Sequence, residues 1–198
     1  MNLADIPSGS RLFNSWFIDE IKNLGTDTAF EKSRLVMQAY NDDEKKLVLT
    51  QSPMIQHVSQ RIILCITTMK IDTNVNIFLH DISQAYIQSN TNLNREFYMR
   101  PPQELEEELG IGKHNVLKVL KPLYGVPEAG NHWFKTYHTH HIEKLNMDQS
   151  TYDPCLMYSN TPFGIIGLQT YDTLFLADKD FASMEQDKLQ EAKFMAKE

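Results

Sequence analysis

Apolar residues recur along the chain in short alternating runs, broken by longer stretches of helical spacing, and the two periods divide it into strands and helices. Residues 11–18 (RLFNSWFI) and 34–40 (RLVMQAY) read as strands joined by a polar connection containing Gly25. Ser52 and Pro53 then introduce Ile55, Val58, Ile62, Cys65, Ile66 and Met69 at helical spacing, which predicts an N-capped helix with one buried face. A strand follows at 77–82 (IFLHDI), with a short turn around Ser83 to Ala85. Another at 96–99 (EFYM) ends at Pro101 and Pro102, which belong to a loop because proline disfavours a helical residue before it. The acidic stretch 103–109 reads as a solvated face, and 116–120 (VLKVL) as the next strand.

Pro127 opens a second helix, in which Trp133, Tyr137, His141 and Leu145 share a face. Strands at 155–158 and 164–169 lead to a tight turn at 170–172 and a partner strand at 173–177 (TLFLA). A last helical pattern runs from about Phe181 to the end of the sequence. These elements make an α+β fold, a mostly antiparallel sheet with helices packed on one side.

Composition narrows the class. With 198 residues, 41% of them hydrophobic, the chain can bury a core as one domain or two small subdomains. No apolar run approaches the roughly 20 residues of a membrane span, and MNLADIPSGSRLF lacks the basic flank and apolar stretch of a secretory signal. An intracellular protein, cytoplasmic or nuclear and not secreted, is expected. Cys65 and Cys155 stand in apolar surroundings without CxxC spacing and read as buried free thiols. The net charge of −7 is concentrated in residues 126–198, with 6 basic and 11 acidic side chains, and in the run Glu104, Glu106, Glu107, Glu108. Weak rather than tight binding to nucleic acid is expected, because phosphate neutralisation by Lys and Arg supplies most non-specific affinity.

Two apolar strands hold acidic residues where water should be scarce. Asp81 interrupts IFLHDI, and Asp172 sits at the bend of GIIGLQTYDTLFLA. An aspartate in an apolar strand costs free energy unless it is paired, hydrogen-bonded or bound to a cation. Two of them point to a shared site for a hard cation such as Mg2+. The plainer alternative makes Asp172 a turn residue and Asp81 the cap of the turn that follows it. His132, His138, His140 and His141 raise the question of zinc, but no cysteine or HExxH pattern joins them, so a solvated or packed helix face is the expected role.

The strings SRLVMQAYN, IFLHDISQAYIQS, EFYMRPPQEL, VLKVLKPLYGVPEAGNHWF, STYDPCLMY and GIIGLQTYDTLFLAD resemble, in the same order, segments of the reverse transcriptases of copia-type long-terminal-repeat retrotransposons. The resemblance runs from about Phe13 to the C-terminus. It implies a polymerase fingers and palm, with about 11–75 and 91–125 fingers-like, about 76–90 and 126–198 palm-like, and 1–10 an N-terminal tail. It also implies two-metal, template-directed DNA synthesis, with an RNA or DNA template-primer and dNTPs as partners, Mg2+ or Mn2+ as cofactor, and other retroelement proteins as possible associates. By resemblance, Asp81 and Asp172 are catalytic metal ligands and the carbonyl of Ile82 completes the shell. Tyr86 is the aromatic under the incoming sugar that rejects a 2'-hydroxyl. Lys32 or Arg34 meets the triphosphate, and Glu128 stands where many relatives carry Gln near the nucleotide.

The pattern is broken at one place. Aligning TLFLAD with the strand after the family's Asp-Asp pair puts Tyr171 where the first aspartate belongs. A phenol is neutral near pH 7, and its ring occupies space the ions need. The sequence also stops in the helix after the hairpin, so a thumb and a primer-gripping segment are expected to be missing. An inactive or severely impaired polymerase is therefore expected. The alternatives are a non-catalytic nucleic-acid-binding or interaction module, and a translated remnant without a selected function.

Overall fold

The computed structural model describes residues 1–70 and 73–197. Ile71 and Asp72, inside the fingers-like stretch, and Glu198, at the end of the last helical pattern, lie outside the described residues. Four α-helices and eleven strands are formed among the described residues, and they fall into two compact units. The first comprises Met1–Thr50 and Thr91–His132, the second Gln51–Asn90 and Trp133–Glu198. The units therefore divide the chain elsewhere than the expected fingers-like and palm-like stretches, with residues 51–70 joining the second. The first ten residues are built into the first unit, where Leu3 N–H donates to the His114 carbonyl.

The first unit holds β1 (Leu12–Phe13), β2 (Ser15–Lys22), β3 (Phe30–Met37), β5 (Phe97–Met99), α2 (Gln103–Leu109) and β6 (Leu117–Val119). β1 pairs in parallel with β5, and β5 antiparallel with β6. β2 and β3 form an antiparallel ribbon from Ser15↔Met37 to Lys22↔Phe30. The acidic stretch 103–109 is itself a short helix, α2, closed by Gly110 in the left-handed conformation. Gly125, at φ 90°, lets its backbone lie against that of Met37, whose N–H donates to the Tyr124 carbonyl at 2.8 Å. A side chain there would overlap the Met37 carbonyl.

The second unit holds α1 (His57–Met69), β4 (Val75–Ile82), β7 (Asp148–Gln149), β8 (Leu156–Asn160), β9 (Phe163–Gln169), β10 (Asp172–Asp178), α4 (Lys179–Glu191) and β11 (Ala196–Lys197). It also takes α3 (Ala129–Lys144) from Trp133 onward. Its antiparallel sheet has the order β11-β4-β10-β9-β8-β7. Side chains alternate across the strands, so the unbroken register Thr173↔Leu168, Phe175↔Ile166, Ala177↔Gly164 defines one face and Leu174↔Gly167, Leu176↔Ile165 the other.

That alternation corrects the expectation of helices on one side only. Gly164 has no room for a Cβ against the Phe181 ring of α4, whereas Gly167 has none against Ile55 and Ile63, the latter in α1. Those two glycines lie on opposite faces, so α4 covers one and α1 the other. Tyr137 of α3 meets Thr173 and so lies with α4. The shared core includes Ile63, Trp133, Tyr137, Phe175, Leu176 and Phe181.

Four local expectations also change. α1 begins at His57 rather than at the Ser52 cap, because Met54 bridges Gln169 and Ile55 N–H donates to Leu168, which keeps the chain extended. The Gln56 N–H is taken by the buried carboxylate of Asp153 at 2.9 Å. The buried face of α1 is Ser59 and Ile63, with Ile66 packed against the core, while Val58, Ile62, Cys65 and Met69 are exposed. Of the two free cysteines only Cys155 is buried. Finally, α4 stops at Glu191. Phe194 then turns into the rings of Trp133, Tyr137 and His140, and β11 pairs with β4.

Candidate active site

β4 and β10 run antiparallel in register from Val75↔Asp178 to Asp81↔Asp172. Directly opposed residues on neighbouring strands project from the same face, so the two carboxylates stand side by side at the end of the pair. They share that face with Leu79, which is 63% exposed, and Leu174. Asp81 is exposed and Asp172 half-buried. Partial burial, and then the neighbouring Asp81 charge, hold the Asp172 carboxyl above the usual carboxylate range. Such a pair favours a bound proton or a bound cation, and its donors are the hard oxygens that Mg2+ and Mn2+ prefer.

The β9–β10 hairpin closes through two residues, Thr170 and Tyr171. Thr170 has φ 55°, which is rare for a β-branched side chain. The Tyr171 side chain is 39% exposed, and its carbonyl accepts the N–H of Ile82 at 3.0 Å. The turn is thus tied to the last residue of β4, one position beyond Asp81. Ile82 itself is buried and opposite Ala196 of β11. No group of three or more His, Cys, Asp or Glu side chains is placed to hold a metal ion among the described residues.

Tyr86 lies in the 3-10 helix Ala85–Gln88 that follows β4, half-buried against the core of the same unit. Lys32, Arg34 and Glu128 belong to the first unit. Lys32 and Arg34 stand on one face of β3, two residues apart. Arg34 is bound to Glu20 at 3.1 Å with its guanidinium 5.8 Å from the Tyr124 ring centre, whereas Lys32 joins no ion pair among the described residues. Glu128 is buried, and Arg95 takes both its oxygens, at 3.2 and 2.7 Å. The same arginine reaches buried Asp42 at 2.8 Å and stacks 4.9 Å over Phe97. Burial works against the Arg95 charge, but Glu128 and Asp42 more than offset it and raise its pKa. The Glu128 carboxylate is thus engaged inside its own unit. Sequence reading missed Arg95 because its partners lie more than thirty residues away on either side.

The helix histidines are packing residues, and three of them have hydrogen-bond partners. His138 meets Gln149 at 2.7 Å, His141 meets the Tyr137 carbonyl at 2.8 Å, and His132 meets Thr91 at 2.7 Å. Burial pushes the imidazole of His140 down to about 4 and that of His141 down to about 3. A residue the sequence did not single out is Glu185 of α4, fully buried with a carboxylate oxygen 3.4 Å from His80 Nδ1.

A model of the reverse transcriptase (RNA-dependent DNA polymerase) family matches residues 1–198. The chain is 28% identical over 139 residues to the transposon Ty1-NL2 Gag-Pol polyprotein of Saccharomyces cerevisiae, a match covering 70% of this chain and 7% of that polyprotein. Ty1-BL and Ty1-DR4 Gag-Pol polyproteins of the same yeast are 27% identical over the same length, with 7% and 8% of each covered. The chain therefore spans under a tenth of the length of these curated relatives. No helix among the described residues is long and apolar enough to cross a membrane. With the two opposed carboxylates and the ordered motifs around them, the match over the whole chain establishes that this protein belongs to the reverse transcriptase (RNA-dependent DNA polymerase) family, as a domain of the copia type.

Proposed function

We propose that this chain is a reverse transcriptase domain whose nucleotidyl-transfer site is incomplete, so that DNA synthesis is absent or severely reduced. The observation that carries this reading is the opposition of Asp81 and Asp172 on one sheet face, with the phenol of Tyr171 in the hairpin position beside them. Two carboxylates would hold a divalent cation, Mg2+ or Mn2+, with the Ile82 carbonyl as a further oxygen donor. Bound there, the cation would lower the charge on the reacting phosphates. A third carboxylate at position 171 would raise the affinity and fix the ion's place.

In this reading the second unit corresponds to the palm and most of the first to the fingers. Tyr86 follows β4 closely enough in sequence to offer its ring to a nucleotide sugar. Between the two fingers cations, Lys32 is better suited to phosphate, because Arg34 is already neutralised by Glu20. Glu128 plays no direct part, since its carboxylate is bound by Arg95. The substrates are a template-primer and dNTPs, held weakly by a chain of net charge −7.

Primer extension on a poly(rA) template, with Mg2+ or Mn2+ and the purified chain, tests this directly. The expected result is no extension by the native sequence and a measurable gain for Tyr171→Asp. Extension by the native sequence that disappears in Asp81→Ala would overturn the proposed inactivity.

A further inference from the structure

The face of the β9–β10 hairpin opposite the two aspartates carries an arrangement that the family motifs do not explain. Trp133 and Tyr137 are one helical turn apart on α3, both fully buried, with rings stacked at 4.9 Å and 18°. The indole N–H of Trp133 donates to the Thr170 carbonyl at 2.9 Å, and the Tyr137 hydroxyl accepts from Thr173 Oγ1 at 3.2 Å. The two bonds fall immediately before and after Tyr171 and Asp172.

We propose that Trp133 and Tyr137 are positioning residues that clamp the Thr170–Asp172 turn from beneath the sheet and thereby set the place of the Asp172 carboxylate against Asp81. The inference rests on the reading of those aspartates as a cation site. A buried indole or phenol needs a partner for its polar atom, and here both partners are backbone or side-chain groups of the turn strands. Thr170 is the residue that most needs holding. Its positive φ disfavours a β-branched side chain, so without an anchor the turn can relax by rotating the Thr170–Tyr171 peptide. The next peptide, Tyr171–Asp172, carries the carbonyl that accepts from Ile82, so relaxation passed on to it would disturb the β4 end that bears Asp81. A phenylalanine keeps the ring at Tyr137 and puts a smaller one at Trp133, and at either position it leaves the turn without that hydrogen bond.

The test compares Trp133→Phe and Tyr137→Phe with Phe181→Leu, a core change at the opposite end of the hairpin. Native-state amide hydrogen exchange on the full chain is the first readout. Exchange at Ile82 and Asp172 should speed up about fivefold or more in Trp133→Phe, the loss of one net hydrogen bond, and less in Tyr137→Phe. Amides of Met157 and Ile166 should keep their rates relative to global stability, and Phe181→Leu should accelerate the whole unit without singling out the turn. The second readout is Mn2+ affinity, by the electron paramagnetic resonance of free ion, in the Tyr171→Asp background. Adding Trp133→Phe should weaken it at least threefold, while adding Phe181→Leu should leave it unchanged. Equal effects from Trp133→Phe and Phe181→Leu, or an unchanged Ile82 rate in Trp133→Phe, would overturn the clamp. If Tyr171→Asp binds no Mn2+ at all, the cation-site reading fails, and the exchange rates alone decide whether the clamp exists.

Discussion

In the first unit the deepest charged groups are Asp42 and Glu128, and Arg95 neutralises both while Arg11 adds a second bond to Asp42. In the second unit the buried polar groups include His80, His140 and His141, set among the rings of Tyr137, Phe175 and Phe194, and Glu185 beside His80. The first unit has short strands and a two-stranded ribbon that leaves Trp16, Ile18 and Phe30 exposed. It compensates for a small apolar core with a buried ion network, whose loss leaves uncompensated charge. The second has a six-stranded sheet with helices on both faces, and burial holds the imidazoles of His140 and His141 below their ordinary value. The two units should therefore respond to different insults, one to the removal of a charge or of backbone clearance, the other to acid.

The chain offers one tryptophan in each unit, exposed Trp16 and buried Trp133, so fluorescence can follow them separately. The largest expected effect is from Gly125→Ala. A Cβ there overlaps the Met37 carbonyl in a positive-φ conformation, which should cost roughly 4 kcal/mol or more and unfold the first unit. Urea titration read by Trp16 would show an early transition with the Trp133 transition little changed; coincident shifts in both would mean that the units fold as one. Next comes Glu128→Ala, expected to destabilise the first unit by about 3 kcal/mol because Arg95 loses a bidentate partner in a buried place. The same titration in high salt should give nearly the same cost, since a buried pair is poorly screened.

Acidification should separate the units in the other direction. His140 and His141 have folded pKa values pushed below the ordinary 6.5 by burial, to about 4 and about 3, so the unfolded chain binds more protons than the folded one below pH 6.5. Their contribution is present above pH 6.5 and is lost as pH falls towards the folded values, by roughly 3 kcal/mol for each histidine at pH 4. Circular dichroism melts at pH 7 and pH 4.5 on His141→Leu should show a smaller pH dependence than on the native chain. The smallest effect is expected for Asp172→Asn. Its raised carboxyl pKa means that the proton-bound form suits the fold, so ionisation removes stability as pH rises through the folded value. The substitution should stabilise the second unit by only a few tenths of a kcal/mol at pH 7, because solvent screens a half-exposed pair, and should have no effect near pH 3. A loss of stability at pH 7 would show that the carboxylate is held by favourable contacts.

Most strand positions were legible from the alternation of apolar residues, because IFLHDI and GIIGLQTYDTLFLA carry their period in consecutive residues. The opposition of Asp81 and Asp172 was legible only as two acids in apolar strands; their place at one register position came from strand pairing. Helix coverage was misread for a physical reason. Val58, Ile62 and Met69 have helical spacing, but α1 crosses only part of the sheet, and the side chains it buries are those above Gly167, where no Cβ competes for space.

By itself the sequence determined the family, the order of elements and the identity of the residues at the two carboxylate positions and at Tyr171, since these depend on short motifs and local period. Tertiary structure alone decided which face each helix covers, why Glu128 faces Arg95, and how Trp133 and Tyr137 reach the turn. Those contacts join residues distant in the chain, and their partners are chosen by strand register and by where glycine leaves room, neither of which local sequence encodes.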